Sequence, residues 1–173
     1  MFNNRIELLK NEYNELSDFL EEQGQVSFAT YINDNYKKSL LLSAASYFET
    51  IVVEIIIEYA KFCSGNDEKI VSLIEGKTLN RQYHTLFDGD RQNANKFFGL
   101  FGDKTKEKAR KMLEDESLSD AERAFLSIGR ERNKLVHNNY IEVSINSTFN
   151  EIYNQYEMAC NFVKFLRTSK FPK

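Results

Sequence analysis

Ile6, Leu9, Tyr13, Leu16 and Leu20 recur at alternating steps of three and four residues, the spacing that lines one face of a helix. The stripe predicts a first helix from about Asn3 to Gln23, with Gly24 as its stop. After a connection containing Phe28, Tyr31 and Ile32, Asn33 or Asp34 is placed to cap a long second helix that reaches about Phe62 and ends at Ser64-Gly65-Asn66. In the middle of the chain, Asn66 caps a short helix to Glu75 with Gly76 beyond its end, and Leu79 to Phe87 forms another. Asp88-Gly89-Asp90 marks a turn, and Arg91 to Leu100 and Lys104 to Leu113 read as helices. Ser119-Asp120-Ala121-Glu122 has the form of a capping box, and so does Thr148-Phe149-Asn150-Glu151. The second box opens a last helix to about Thr168, whose apolar face is Phe149, Ile152, Tyr153, Tyr156, Ala159, Cys160, Val163 and Leu166. These patterns predict an all-α helical bundle with a long central helix and additional short helices.

One proline and seven glycines in 173 residues leave few helix breakers, and no repeat or low-complexity tract divides the chain. A single domain over residues 1–173 follows, long enough to bury a substantial core. The net charge of −3 excludes a surface that is basic throughout, the platform that binding through many phosphates requires. Local basic clusters remain, at Arg130, Arg132 and Lys134, and at Lys104, Lys106, Lys108, Arg110 and Lys111 after the aromatic Phe97, Phe98 and Phe101. The ordinary reading of the second cluster is a solvated helix face; the alternative is contact with a substrate or partner. Cys63 and Cys160 lack metal-ligand spacing and are too few for a disulfide framework, so they read as reduced and buried, with no metal or cofactor implied. Residues 1–5 carry no apolar signal segment, and a cytoplasmic location is the expectation. Leu40 to Phe62 is apolar enough to suggest a membrane span, but Glu49, Glu54, Glu58 and Lys61 interrupt it, and a buried core helix with no membrane contact fits better.

Two charges stand out of phase with the helices that carry them. Ala124, Phe125, Ile128, Leu135 and Val136 share one stripe, and Arg132 falls inside it. On the long helix, Ser43, Thr50, Glu54, Glu58 and Lys61 form a polar stripe, while Glu49 projects among apolar residues. A carboxylate and a guanidinium both enclosed in a core each need a partner, so Glu49 is expected to pair with Arg132. Asn133 and His137, four residues apart, share another face, with Arg130 near it. His137 is one of only two histidines, and histidine can take up and release a proton near neutrality. The other, His84, has no matching partners and reads as a packed or surface residue. Without further context His137 reads as a surface histidine whose charge complements a helix end.

The segment Arg132-Asn133-Lys134-Leu135-Val136-His137, followed by Asn138-Asn139-Tyr140, resembles the R-x4-6-H motif of the HEPN domain family, in its prokaryotic ribonuclease-like branch of the RiboL-PSP type. Ser43-Ala44-Ala45-Ser46-Tyr47-Phe48-Glu49 also resembles the early core helix of that family. The resemblance implies an all-helical fold and metal-independent cleavage of RNA to 2′,3′-cyclic phosphate and 5′-hydroxyl ends. His137 would move the proton, Arg132 would steady the phosphorane charge, and Asn133 would orient the imidazole or contact a phosphate. Arg130 also satisfies the longer R-x6-H form; helical phase favours Arg130 and the following asparagine favours Arg132. Tyr140 would stack or hydrogen-bond nearby, and Glu49 would support Arg132. One histidine cannot flank both sides of an in-line displacement, and the resemblance implies a homodimer with two motifs facing a shared cleft. It further implies a toxin-antitoxin or antiphage role, with tRNA, mRNA or rRNA as substrate and an antitoxin or defence-system protein as partner. The competing expectation is a non-catalytic helical module that dimerises, binds nucleotide or RNA, or holds a partner protein.

Overall fold

The computed structural model describes residues 2–76, 83–88, 91 and 93–168. Among these the chain forms eight helices and no strand: α1 (Phe2–Glu22), α2 (Val26–Ser64), α3 (Glu68–Ile74), α4 (Tyr83–Leu86), α5 (Asn95–Gly99), α6 (Asp103–Met112), α7 (Glu116–His137) and α8 (Phe149–Thr168). The all-α bundle expected from the periodicity is the fold. Two compact units divide the chain, residues 1–47 with 128–157 and residues 48–127 with 158–173. The helices α2, α7 and α8 each contribute one part to either unit.

In the first unit Ile6, Leu40, Leu41, Ala44, Leu135, Phe149, Ile152 and Tyr156 are buried. Tyr13 of α1 stacks on Phe149 at 3.9 Å between ring centroids, and its hydroxyl donates to Asn33 Oδ1 at 3.0 Å. Gly24, at φ +64°, turns the chain out of α1, and Gln25 N–H closes the helix on Leu20 O at 2.9 Å. The second helix starts at Val26, not at Asn33. No glycine or proline stands between Val26 and Asp34, and Thr30 Oγ1 bonds back to Val26 O, so nothing interrupts the first turns. Asn33 and Asp34 are therefore helix-interior residues, and their side chains serve Tyr13 and Lys38.

The second unit is built on phenylalanine. Phe97 stacks on Phe87 at 4.9 Å, Phe125 meets Phe48 at 5.3 Å and Phe162 at 5.1 Å, and Phe98 meets Phe162 at 6.4 Å. Such pairs add to the burial of their large apolar area. Glu122 is enclosed here, accepting from Ala94 N–H at 2.6 Å and from the Arg110 guanidinium. The capping box expected at Ser119 does not form, because Glu122 is drawn to Arg110. The cap is Asp115, whose Oδ1 accepts from the N–H of Ser117 and Leu118 at 3.0 and 3.2 Å. Bonds from the Ser117 hydroxyl and these amides hold the Asp115 carboxyl below the usual carboxylate range. Asp67, not Asn66, caps α3, while Gly65 and Asn66 take positive φ and end α2.

The α5 helix is shorter than expected, Asn95–Gly99, whereas α6, Asp103–Met112, has the expected length and begins one residue earlier. The helix expected over Leu79 to Phe87 is seen as Tyr83–Leu86, and residues 77–82 and the Gly89-Asp90 turn lie outside the described residues. His84 sits in α4, with its side chain outside the described set. Thr148 and Glu151 form the reciprocal box that opens α8: Thr148 N–H donates to Glu151 Oε2 at 2.7 Å, and Glu151 N–H to Thr148 Oγ1 at 3.2 Å. The Thr148 amide holds the Glu151 carboxyl below its usual range.

Helix α2 is long and apolar enough to cross a membrane, yet Leu40, Leu41, Ala44, Phe48, Val52, Ile55, Ile56 and Ala60 are buried within the fold. Cys63 is exposed and Cys160 half-buried, which corrects the expectation of two buried thiols. Cys63 lies at the last turn of α2, beyond the packed stretch, and its contact with Tyr59 raises the tyrosine hydroxyl above the usual phenol range.

Candidate active site

The last turns of α7 are held by Ile128 and Leu135, which are buried seven residues apart. Two helical turns separate them, so they anchor one face and leave the others to polar residues. Arg132 and Asn133 are half-buried, and Lys134 and His137 are exposed. Val136, placed in the apolar stripe by sequence, is 51% exposed, because the stripe turns out of the packed face at the end of the helix.

Arg132 Nη1 donates to Asn133 Oδ1 at 3.1 Å. This bond fixes the Asn133 amide: its oxygen is occupied, and its NH2 group is what it offers to an incoming acceptor. Arg132 has no carboxylate partner among the described residues, so its remaining N–H groups and its charge are open to an anion. Arg130 and Lys134 differ. Lys134 Nζ lies 2.6 Å from Glu131 Oε1, and Arg130 Nε lies 4.0 Å from the same oxygen. One carboxylate thus partly offsets both cations.

His137 is the last residue of α7, exposed, with no hydrogen bond to its ring among the described residues. Solvent reaches it freely. Just beyond it the chain is closely tied. Asn138 Nδ2 donates to Lys134 O at 2.8 Å, closing the helix end. Asn139 Oδ1 accepts from Ile141 N–H at 3.3 Å, and Asn139 O from Glu142 and Val143 at 2.9 and 3.1 Å. Tyr140 is half-buried with its ring 5.1 Å from Lys38 Nζ.

The structure removes the premise of a buried Glu49–Arg132 ion pair. Glu49 is half-buried and reaches solvent, and Arg132 already has Asn133. Neither charge is enclosed, so neither requires an ionic partner. Enclosed charges do occur, at Glu122 and at Lys38. Lys38 was legible in principle, since it shares a helix face with Leu41 and Ala45, three and seven residues on. The second basic cluster is divided in use: Arg110 serves Glu122, and Lys106 and Lys111 border a surface hollow that Asp103 and Glu107 also line. Among the described residues no three His, Cys, Asp or Glu side chains group as a metal site.

No curated protein and no solved structure matches the chain. Residues 7–169 match the family described as RiboL-PSP-HEPN. With an all-α fold and an R-x4-H segment on its penultimate helix, the chain belongs to the RiboL-PSP-HEPN family.

Proposed function

We propose that this protein is a metal-independent endoribonuclease acting through Arg132 and His137. The observation that carries the reading is their pairing of properties on one helix end: an unbonded, exposed imidazole and a guanidinium whose described partner is neutral. The 2′-hydroxyl loses its proton to a His137 imidazole as its oxygen attacks phosphorus, and the bond from phosphorus to the 5′-oxygen breaks. An imidazolium returns a proton to that departing oxygen. Arg132 and the Asn133 amide hold the phosphorane oxygens, where the added negative charge develops. Base and acid stand on opposite sides of the phosphorus, so two copies of the chain supply them. Val136 and Ile141, 51% and 83% exposed beside the motif, are apolar surface that such a contact covers. The products are 2′,3′-cyclic phosphate and 5′-hydroxyl ends. The cellular setting is a prokaryotic toxin-antitoxin or antiphage system in the cytoplasm, with tRNA, mRNA or rRNA as substrate.

The test is incubation of purified wild type and Arg132→Ala with total cellular RNA in EDTA, followed by mapping of the cut ends. Cleavage by the wild type alone, leaving the ends named above, is the expected result. Cleavage that needs an added divalent metal would overturn it.

A second reading, a helical module that holds a partner protein, has its own observation. Phe19, Val26, Phe28 and Tyr31, around the α1–α2 turn, are each more than half exposed. Wild-type protein that leaves all RNA intact yet co-purifies with a protein cofactor, lost on Phe28→Ser, would favour that reading.

A further inference from the structure

We propose that Lys38 is a positioning residue for the segment that follows His137. The inference rests on the nuclease reading for its catalytic consequence and on geometry for its structural one. The Lys38 side chain is 2% exposed, an unusual place for an ammonium, which is costly to enclose without partners. Its Nζ lies 2.7 Å from Asp34 Oδ2, one helical turn back. That pair alone does not explain burial, because an exposed lysine makes the same i, i+4 contact. What enclosure adds is the far side: Nζ donates to Ile141 O at 3.5 Å and faces the Tyr140 ring at 5.1 Å. Its neighbour Lys37 donates to Ile145 O at 2.9 Å. Two successive lysines of α2 therefore hold a stretch more than a hundred residues away in sequence, at two carbonyls and one ring.

That stretch is the continuation of the motif. Three residues separate His137 from Ile141, and among them Asn138 and Asn139 fold the chain into a tight turn against the end of α7. The turn is internally bonded and the lysines fasten it from outside, so it moves as a piece or not at all. With no bond on the imidazole itself among the described residues, the backbone on either side of His137 sets where the ring stands: α7 on one side, the fastened turn on the other.

The experiment compares wild type, Lys38→Met, Lys38→Arg and Lys37→Met by peptide-resolved hydrogen exchange and by steady-state RNA cleavage. Loss of a charged hydrogen bond predicts about tenfold faster exchange over residues 138–145 in Lys38→Met. Peptides from α8 exchange as in wild type, kcat falls by about tenfold and KM stays. Lys38→Arg restores most of both. Lys37→Met loses only the Ile145 contact and is half-buried, so it tests the same local signature, at smaller amplitude, should Lys38→Met not fold. Uniformly faster exchange with kcat unchanged per folded molecule would overturn the proposal, as would unaltered exchange at 138–145. If the wild type cuts no RNA, the nuclease reading fails, and the exchange pattern alone still decides whether Lys38 fastens the turn.

Discussion

The two ends of α7 handle charge in opposite ways. Near its start, Glu122 is enclosed, with the Arg110 guanidinium and the Ala94 amide both committed to it. Near its end, Arg132 is half-buried against a neutral amide and His137 stands in solvent with no bond to its ring among the described residues. A carboxylate taken from water must be fully satisfied, and its removal leaves a cation and an amide stranded. A side chain left wet and lightly bonded contributes little to folding and is free to meet a substrate. The lesson is that a polar residue on an apolar helix has two explanations, and only its partners tell them apart.

Exchanging the substitutions between the two ends is the sharpest way to break this comparison. Glu122→Ala should lower unfolding stability by about 3 kcal/mol, read as a fall in the urea midpoint. Arg132→Ala should stay within about 0.5 kcal/mol of wild type. A large loss for Arg132→Ala would mean the motif end is also structural. Next in size, Thr148→Ala removes one half of the box that opens α8 and should cost about 1 kcal/mol. Glu49→Gln, at a half-buried site, should change stability by no more than about 0.5 kcal/mol. A larger cost would restore the enclosed carboxylate that the sequence suggested. The smallest effect concerns acid. Glu151 and Asp115 have carboxyls lowered in the folded state, so their capping contribution is complete above the ordinary carboxylate range and is lost as pH falls through the lowered values. Glu151→Gln should flatten the acid limb of the stability curve slightly, and an unchanged limb would contradict that assignment.

The helices were legible where periodicity and capping agreed, as in α1 and in α8 with its Thr148 box. They were misplaced where a good capping residue was employed elsewhere. Asn33, Asp34, Ser119 and Glu122 all have cap chemistry, yet Asn33 meets Tyr13, Asp34 meets Lys38, and Glu122 meets Arg110. Local sequence does not reveal such partners, because they come from 4 to 20 residues away. The motif itself was readable, since its spacing is a local property. The partners of its supports were not: although Lys38 stands on an apolar helix face, Lys37 and Lys38 contact carbonyls more than a hundred residues distant.

Single-turnover cleavage of one defined RNA in EDTA, by wild type and by His137→Ala at equal oligomeric mass and equal helicity, tests the central claim most directly. His137→Ala should cut roughly 100- to 10,000-fold more slowly, the usual contribution of a proton-transfer group. Equal rates and the same ends from both proteins would contradict it.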